Sequence, residues 1–131
     1  MKILTCSIRI VPVLLLMGTI FFLSHQPGTK LQFPDVFGLD KLAHGFMYAT
    51  LAAAILYAAP RKAQLLQPWR TGVLIVFFCL LYGMTDEYHQ SFIPGRVPSV
   101  GDIIADVAGA SFLVYLWLRY RSPRHAPAPS S

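Results

Sequence analysis

Charge is scarce in this chain. Only 13% of its 131 residues are Asp, Glu, Lys or Arg, about half the share usual in a soluble domain. No charged residue stands between Ile10 and Leu23, or between Gly72 and Thr85. A soluble helical bundle is excluded on that ground, because each of its helices needs a charged face toward water. Cysteine is limited to Cys6 and Cys79. Cys6 precedes the first apolar run and Cys79 sits mid-way along the third. That separation in depth excludes a disulfide framework and a cysteine metal site. Acidic residues number six, and all fall in short stretches at the edges of apolar runs. What is abundant is hydrophobic surface, at 55% of residues, which rules out a disordered chain.

The apolar residues gather into four blocks: Ile10–Leu23, Leu42–Ala59, Gly72–Met84 continuing through Tyr88, and Ile103–Leu118. A spanning helix needs about 20 residues, and each block reaches that length only with its polar flanks. The expected fold is all-α: a four-helix transmembrane bundle over residues 1–120, followed by a Pro-rich, disordered cytoplasmic tail over 121–131. A cleavable signal is not expected from the first block, since Ser24-His25-Gln26-Pro27 lacks the small-residue pattern a signal peptidase prefers.

Basic residues assign the sides. Lys2, Arg9, Arg61, Lys62, Arg70, Arg119, Arg121 and Arg124 lie at one set of block ends, with no Asp or Glu among them. The opposite ends carry Lys30, Lys41 and Arg96 with all six carboxylates. Both termini are therefore expected in the cytoplasm, with every carboxylate outside. The net charge of +5 then reflects topology and attraction to anionic lipid, not nucleic-acid binding.

At the outer ends, polar residues enter apolar runs. Asp40, His44 and Tyr48 follow i, i+4, i+8 spacing and share one helix face. Tyr82, Asp86 and Gln90 do the same on the third helix, with Glu87 adjoining. Asp106 lies one turn deeper than Asp102, about 6 Å along the fourth helix. The connection Phe92-Ile93-Pro94-Gly95-Arg96-Val97-Pro98 is short, and Pro-Gly suits the centre of a type II turn. Such a turn makes the third and fourth helices antiparallel neighbours and brings Glu87, Asp86, Gln90, Arg96, Asp102 and Asp106 together. Gly45, Ala49 and Ala53 form one small-residue ridge, and Ala105 with Gly109 another, for close helix approach.

Structural roles compete with functional ones. Asp40 reads equally well as a helix N-cap, and Ser99 with Asp102 has the spacing of a capping box. Lys41 could snorkel to head groups, and His89 could be an exposed interfacial residue. Tyr57, Trp69, Trp117 and Tyr120 suit an interfacial aromatic belt. Structural roles are harder to assign to His44, Asp86, Glu87 and Asp106. A charge at mid-membrane costs about 2.5–3.5 kcal/mol on insertion scales, and neighbouring carboxylates repel. Arg96, Lys41, a proton or a cation must offset that cost.

The pattern Asp40-Lys41-x-x-His44-x-x-x-Tyr48, then Tyr82-Gly83-x-x-Asp86-Glu87-x-x-Gln90-x-Phe92-x-Pro94-Gly95-Arg96, then Ser99-x-x-Asp102, resembles the VanZ-like family. The match runs from about Asp40 to Gly109. One departure stands out: family members commonly carry Asn where this chain has Asp106. The resemblance implies a small multi-pass protein of the bacterial plasma membrane. The family's founding member is associated with low-level teicoplanin resistance, so the resemblance implies no defined reaction.

Three functions fit the outer cluster. One is binding of a lipid head group, a lipid-linked cell-wall precursor, a glycopeptide or a partner. The second is an envelope enzyme, with Glu87 as general base and His44 and Asp86 assisting. The third is a small ion- or proton-coupled transporter, which would need several copies. In either of the first two, Asp40, Tyr48, Gln90, Arg96, Asp102 and Asp106 would contact the ligand, Arg96 through a bidentate fork on phosphate. No complete metal-binding spacing is present, so no cofactor is expected. A divalent cation on His44, Glu87 and Asp102 is the one alternative. Membrane lipids are the expected partners, and a homo-oligomer is compatible with the sequence.

Overall fold

The computed structural model describes residues 2–27 and 38–121, with side chains from residue 8 onward. Residues 28–37, and all of the expected disordered tail except Arg121, lie outside the described residues. The described residues are helical, in five elements: α1 (Lys2–Ser24), α2 (Leu39–Ala58), α3 (Arg61–Leu66), α4 (Pro68–Gln90) and α5 (Val100–Tyr120). Four of these correspond to the four apolar blocks and extend into their polar flanks. The fifth, α3, was not expected. It is a six-residue connector bracketed by Pro60 and Pro68. Gln64 anchors it, donating through Nε2 to the carbonyls of Leu56 and Ala59 at 2.9 Å each. Those are carbonyls that the end of α2 leaves without intrahelical partners.

Successive long helices run in alternating directions. The C-terminal ends of α1 and α4 therefore meet the N-terminal ends of α2 and α5 at one end of the molecule. The most extensive packing is α2 on α5, followed by α4 on α5 and α1 on α2. Small residues explain the first of these. A Cβ on Gly109 would lie 1.9 Å from the carbonyl oxygen of Gly45, so the two backbones are in direct contact. Ala105 supports the same approach, its carbonyl 3.4 Å from the Cβ position of Gly45. The centre is filled by Tyr48, Leu51, Ala52, Ile75, Cys79 and Ala110.

The distribution of polarity runs opposite to that of a soluble protein. Asp106 is 0%, Glu87 4% and Asp86 5% exposed, whereas Phe46 is 72% and Leu74 66% exposed. Exposed apolar side chains also cover α1 at Leu14, Leu15 and Phe22, and α5 at Ile104 and Phe112. α4 and α5 are long and apolar enough to cross a membrane, and α1 carries a shorter apolar stretch, Ile8–Ser24.

Local signals behaved as chemistry dictates. Gly95 takes φ 79°, and the Arg96 amide donates to the Ile93 carbonyl at 3.1 Å, as a type II Pro-Gly turn requires. Ser99 caps α5, its hydroxyl accepting from the Gly101 amide at 3.1 Å. Asp40 does not cap α2. It lies inside the first turn, and Gly38, at φ 89°, holds the cap position.

Candidate functional site

The converging helix ends enclose a cleft of about 390 Å³. Asp40, His44, Tyr48, Asp86, Gln90, Arg96 and Asp102 line it, and Ile20, Leu23 and Met47 supply apolar wall. Seven of the nine residues singled out from sequence thus share one cavity. Glu87 and Asp106 lie beside it, each buried and bonded to a neighbouring element. The cleft therefore combines polar and apolar wall, with Tyr48, Asp86 and Gln90 buried within it.

Three small networks position these side chains. In the first, the Ser24 hydroxyl donates to Asp86 Oδ2 at 2.7 Å. Gln90 Nε2 donates to the same oxygen at 3.0 Å and to Ser24 Oγ at 3.2 Å. The i, i+4 spacing on α4 places Asp86 and Gln90 together, and the end of α1 supplies Ser24. In the second network, Lys41 bridges Asp40, at 2.9 Å, and Asp102. This ammonium ties the start of α2 to the start of α5. In the third, His44 Nδ1 lies 3.0 Å from Asp106 Oδ1. A carboxylate oxygen only accepts, so Nδ1 carries the hydrogen, and in the neutral ring Nε2 then keeps its lone pair.

Glu87 joins helix to loop by a different route. Its Oε2 accepts from the Ser99 amide at 2.8 Å, one of the amides that precede the first turn of α5. Its other oxygen, Oε1, is buried without a partner. Asp106 Oδ2 and the Tyr48 hydroxyl are buried and unpartnered as well. Unpaired buried polar atoms cost about 1–3 kcal/mol each. Among the described residues, these three all belong to positions singled out from sequence.

Arg96 occupies an unforeseen place. Of its two expected roles, carboxylate pairing is not what the geometry gives. Its Nη2 donates to the Leu23 carbonyl at 2.9 Å and its Nε to the Gln26 carbonyl at 3.2 Å. The guanidinium closes the C-terminal end of α1, where free carbonyls and the helix dipole favour a cation. It still lines the cleft. Arg96→Ala is expected to cost roughly 1–2 kcal/mol for two surface-accessible hydrogen bonds. Thermal melting of the purified variant against wild type measures this. Neutralising a carboxylate in the same variant should restore nothing.

Sequence reading missed Ser24 and the α1 carbonyls as parts of the site. The available signal was a polar residue closing an apolar run, which reads as the mere end of a span. His89 is half-buried rather than the exposed interfacial residue expected, and it is not solitary. Its ring stacks on Phe21 at 4.6 Å between centroids, and its Nε2 lies 3.2 Å from His25 Nδ1.

The cavity draws on α1, α2, α4 and α5 together, so comparison with known proteins bears on the whole chain. No curated protein and no solved structure matches it. The VanZ/LLP1 family model matches residues 9–121, spanning all the helices that build the cleft, and the chain belongs to the VanZ/LLP1 family.

Proposed function

We propose that this is a multi-pass protein of the bacterial plasma membrane whose polar cleft opens on the outer side and binds an amphipathic envelope ligand. Four long helices span the bilayer in this reading, both termini are cytoplasmic, and α3 lies at the inner surface. The observation that carries it is the composition of the cleft. Polar side chains from α2, α4, α5 and the α4–α5 connection converge at one end, beside apolar wall from α1 and α2. Such a site suits a head group with an attached chain, as in a lipid or a lipid-linked cell-wall precursor. A glycopeptide antibiotic, which combines sugars with aromatic groups, fits the same description. The inverted polarity of the surface supports the membrane setting, because lipid rather than water tolerates Phe46, Leu74 and Phe112 outside.

Orientation has a direct test. In a chain with Cys6 and Cys79 replaced, a single cysteine at Pro98 should react with an impermeant thiol reagent in intact cells. A cysteine at Lys62 should react only after lysis. The reverse pattern would place the cleft in the cytoplasm.

The function itself is tested by profiling envelope lipids and cell-wall precursors, and teicoplanin susceptibility, in a deletion strain. A change restored by the wild-type chain is expected. A profile and susceptibility identical to wild type would contradict the reading. Complementation with Glu87→Gln then separates a hydrogen-bonding role of Glu87 from one that needs its charge. A purely hydrogen-bonding site tolerates the amide, whereas a general base does not.

A further inference from the structure

We infer that His44, Glu87 and Asp102 form a binding site for one divalent transition-metal ion beside the cleft. One ligand atom from each lies within 4.8 Å of the others. Metal–ligand bonds of about 2.1 Å bridge such a triangle after small side-chain rotations. The three residues come from α2, α4 and α5, so an ion there joins three helices at the end where they converge. One imidazole nitrogen and two carboxylates form a donor set suited to manganese, iron or zinc rather than to magnesium or calcium.

Each ligand keeps a donor atom free. Asp106 accepts from His44 Nδ1, which fixes the ring and leaves Nε2 available. A carboxylate on the far nitrogen is the usual support for a metal-bound histidine. Asp106 is fully buried and bonded to nothing else, so this support explains its place in the core. Glu87 is 4% exposed, with Oε2 held by the Ser99 amide and Oε1 buried and unpartnered. That orphaned oxygen is the independent sign of a missing ligand. Asp102 gives Oδ1 to Lys41 and retains Oδ2.

Charge agrees. With their carboxylates ionised, Asp40, Asp86, Glu87, Asp102 and Asp106 carry five negative charges at this helix end, and Lys41 and Arg96 supply two positive charges. A divalent cation offsets most of the excess, where a low dielectric makes that imbalance costly. The ion is a separate claim from the cleft's organic ligand, because it is measured with neither lipid nor antibiotic present.

The experiment uses the full chain purified in detergent and stripped with EDTA. Manganese(II) is titrated and followed by the loss of the free-ion EPR signal, with zinc(II) as competitor. One ion per chain is expected, displaced by zinc. Glu87→Gln and Asp102→Asn, both close in shape to the native residues, should each weaken binding at least tenfold. Asp106→Leu, which touches no ion but releases the His44 ring, should weaken it 10–100-fold. Absence of saturable binding by wild type would overturn the inference. So would unchanged affinity in folded Glu87→Gln.

Discussion

Gly109→Leu should prevent α2 and α5 from packing and leave little folded protein. The reason lies in the backbone. A Cβ at position 109 would sit 1.9 Å from the Gly45 carbonyl oxygen, 2.6 Å from its carbon and 2.8 Å from its Cα. None of these atoms can rotate away, so the helices themselves must separate. Overpacking a well-fitted core costs about 1–3 kcal/mol, and Leu adds bulk beyond the first carbon. Gly109→Ala carries the same primary clash and should already lower the melting temperature in detergent. Gly18 provides the contrast, since nothing lies within 4 Å of its Cβ position. Gly18→Ala should be neutral or stabilising, by up to about 1 kcal/mol from helix propensity. Equal melting of Gly109→Ala and wild type would show that α2 and α5 stand further apart than described.

Asp106 should separate shape from charge. Asp106→Leu removes the acceptor of His44 Nδ1 and leaves that donor unpaired, at a cost of about 1–3 kcal/mol. Asp106→Asn keeps an oxygen for His44 and replaces the unpartnered Oδ2 with an amide donor. It should therefore hold wild-type stability within about 1 kcal/mol. Melting of both variants at equal detergent concentration checks the ordering. If Asn proves as damaging as Leu, the negative charge itself holds His44, and the pair is an imidazolium and a carboxylate.

Much of this site was legible because helical periodicity is short-range. Asp86 and Gln90 meet by i, i+4 spacing, Asp40, His44 and Tyr48 line one cavity for the same reason, and Pro94-Gly95 dictates its own turn. The small-residue ridge also announced itself, since Gly45 and Gly109 have no role in helix propensity that would favour them. What the sequence withheld depends on contacts between distant segments. Arg96 and the Leu23 carbonyl are 73 residues apart, and nothing local to Arg96 distinguishes a carbonyl partner from a carboxylate. Ser24 is likewise defined by Asp86, 62 residues away. The connector α3 escaped because six residues between two prolines carry no apolar periodicity. The helix ends at the cleft were legible too: hydropathy falls at Asp40 and Glu87, yet the backbone there still needs its hydrogen bonds, and α2 begins at Leu39 and α4 runs to Gln90.

The claim that the outer cleft holds an amphipathic envelope ligand is met most directly by native mass spectrometry of the protein released from lipid nanodiscs. Ala43 lines the cleft and contributes no polar group to its networks, so Ala43→Trp fills the cavity and leaves the side-chain hydrogen bonds in place. Wild type should carry one tightly held lipid or lipid-linked species per chain, lost in a normally melting Ala43→Trp protein. Identical bound species in both proteins, consisting only of bulk phospholipid, would contradict it.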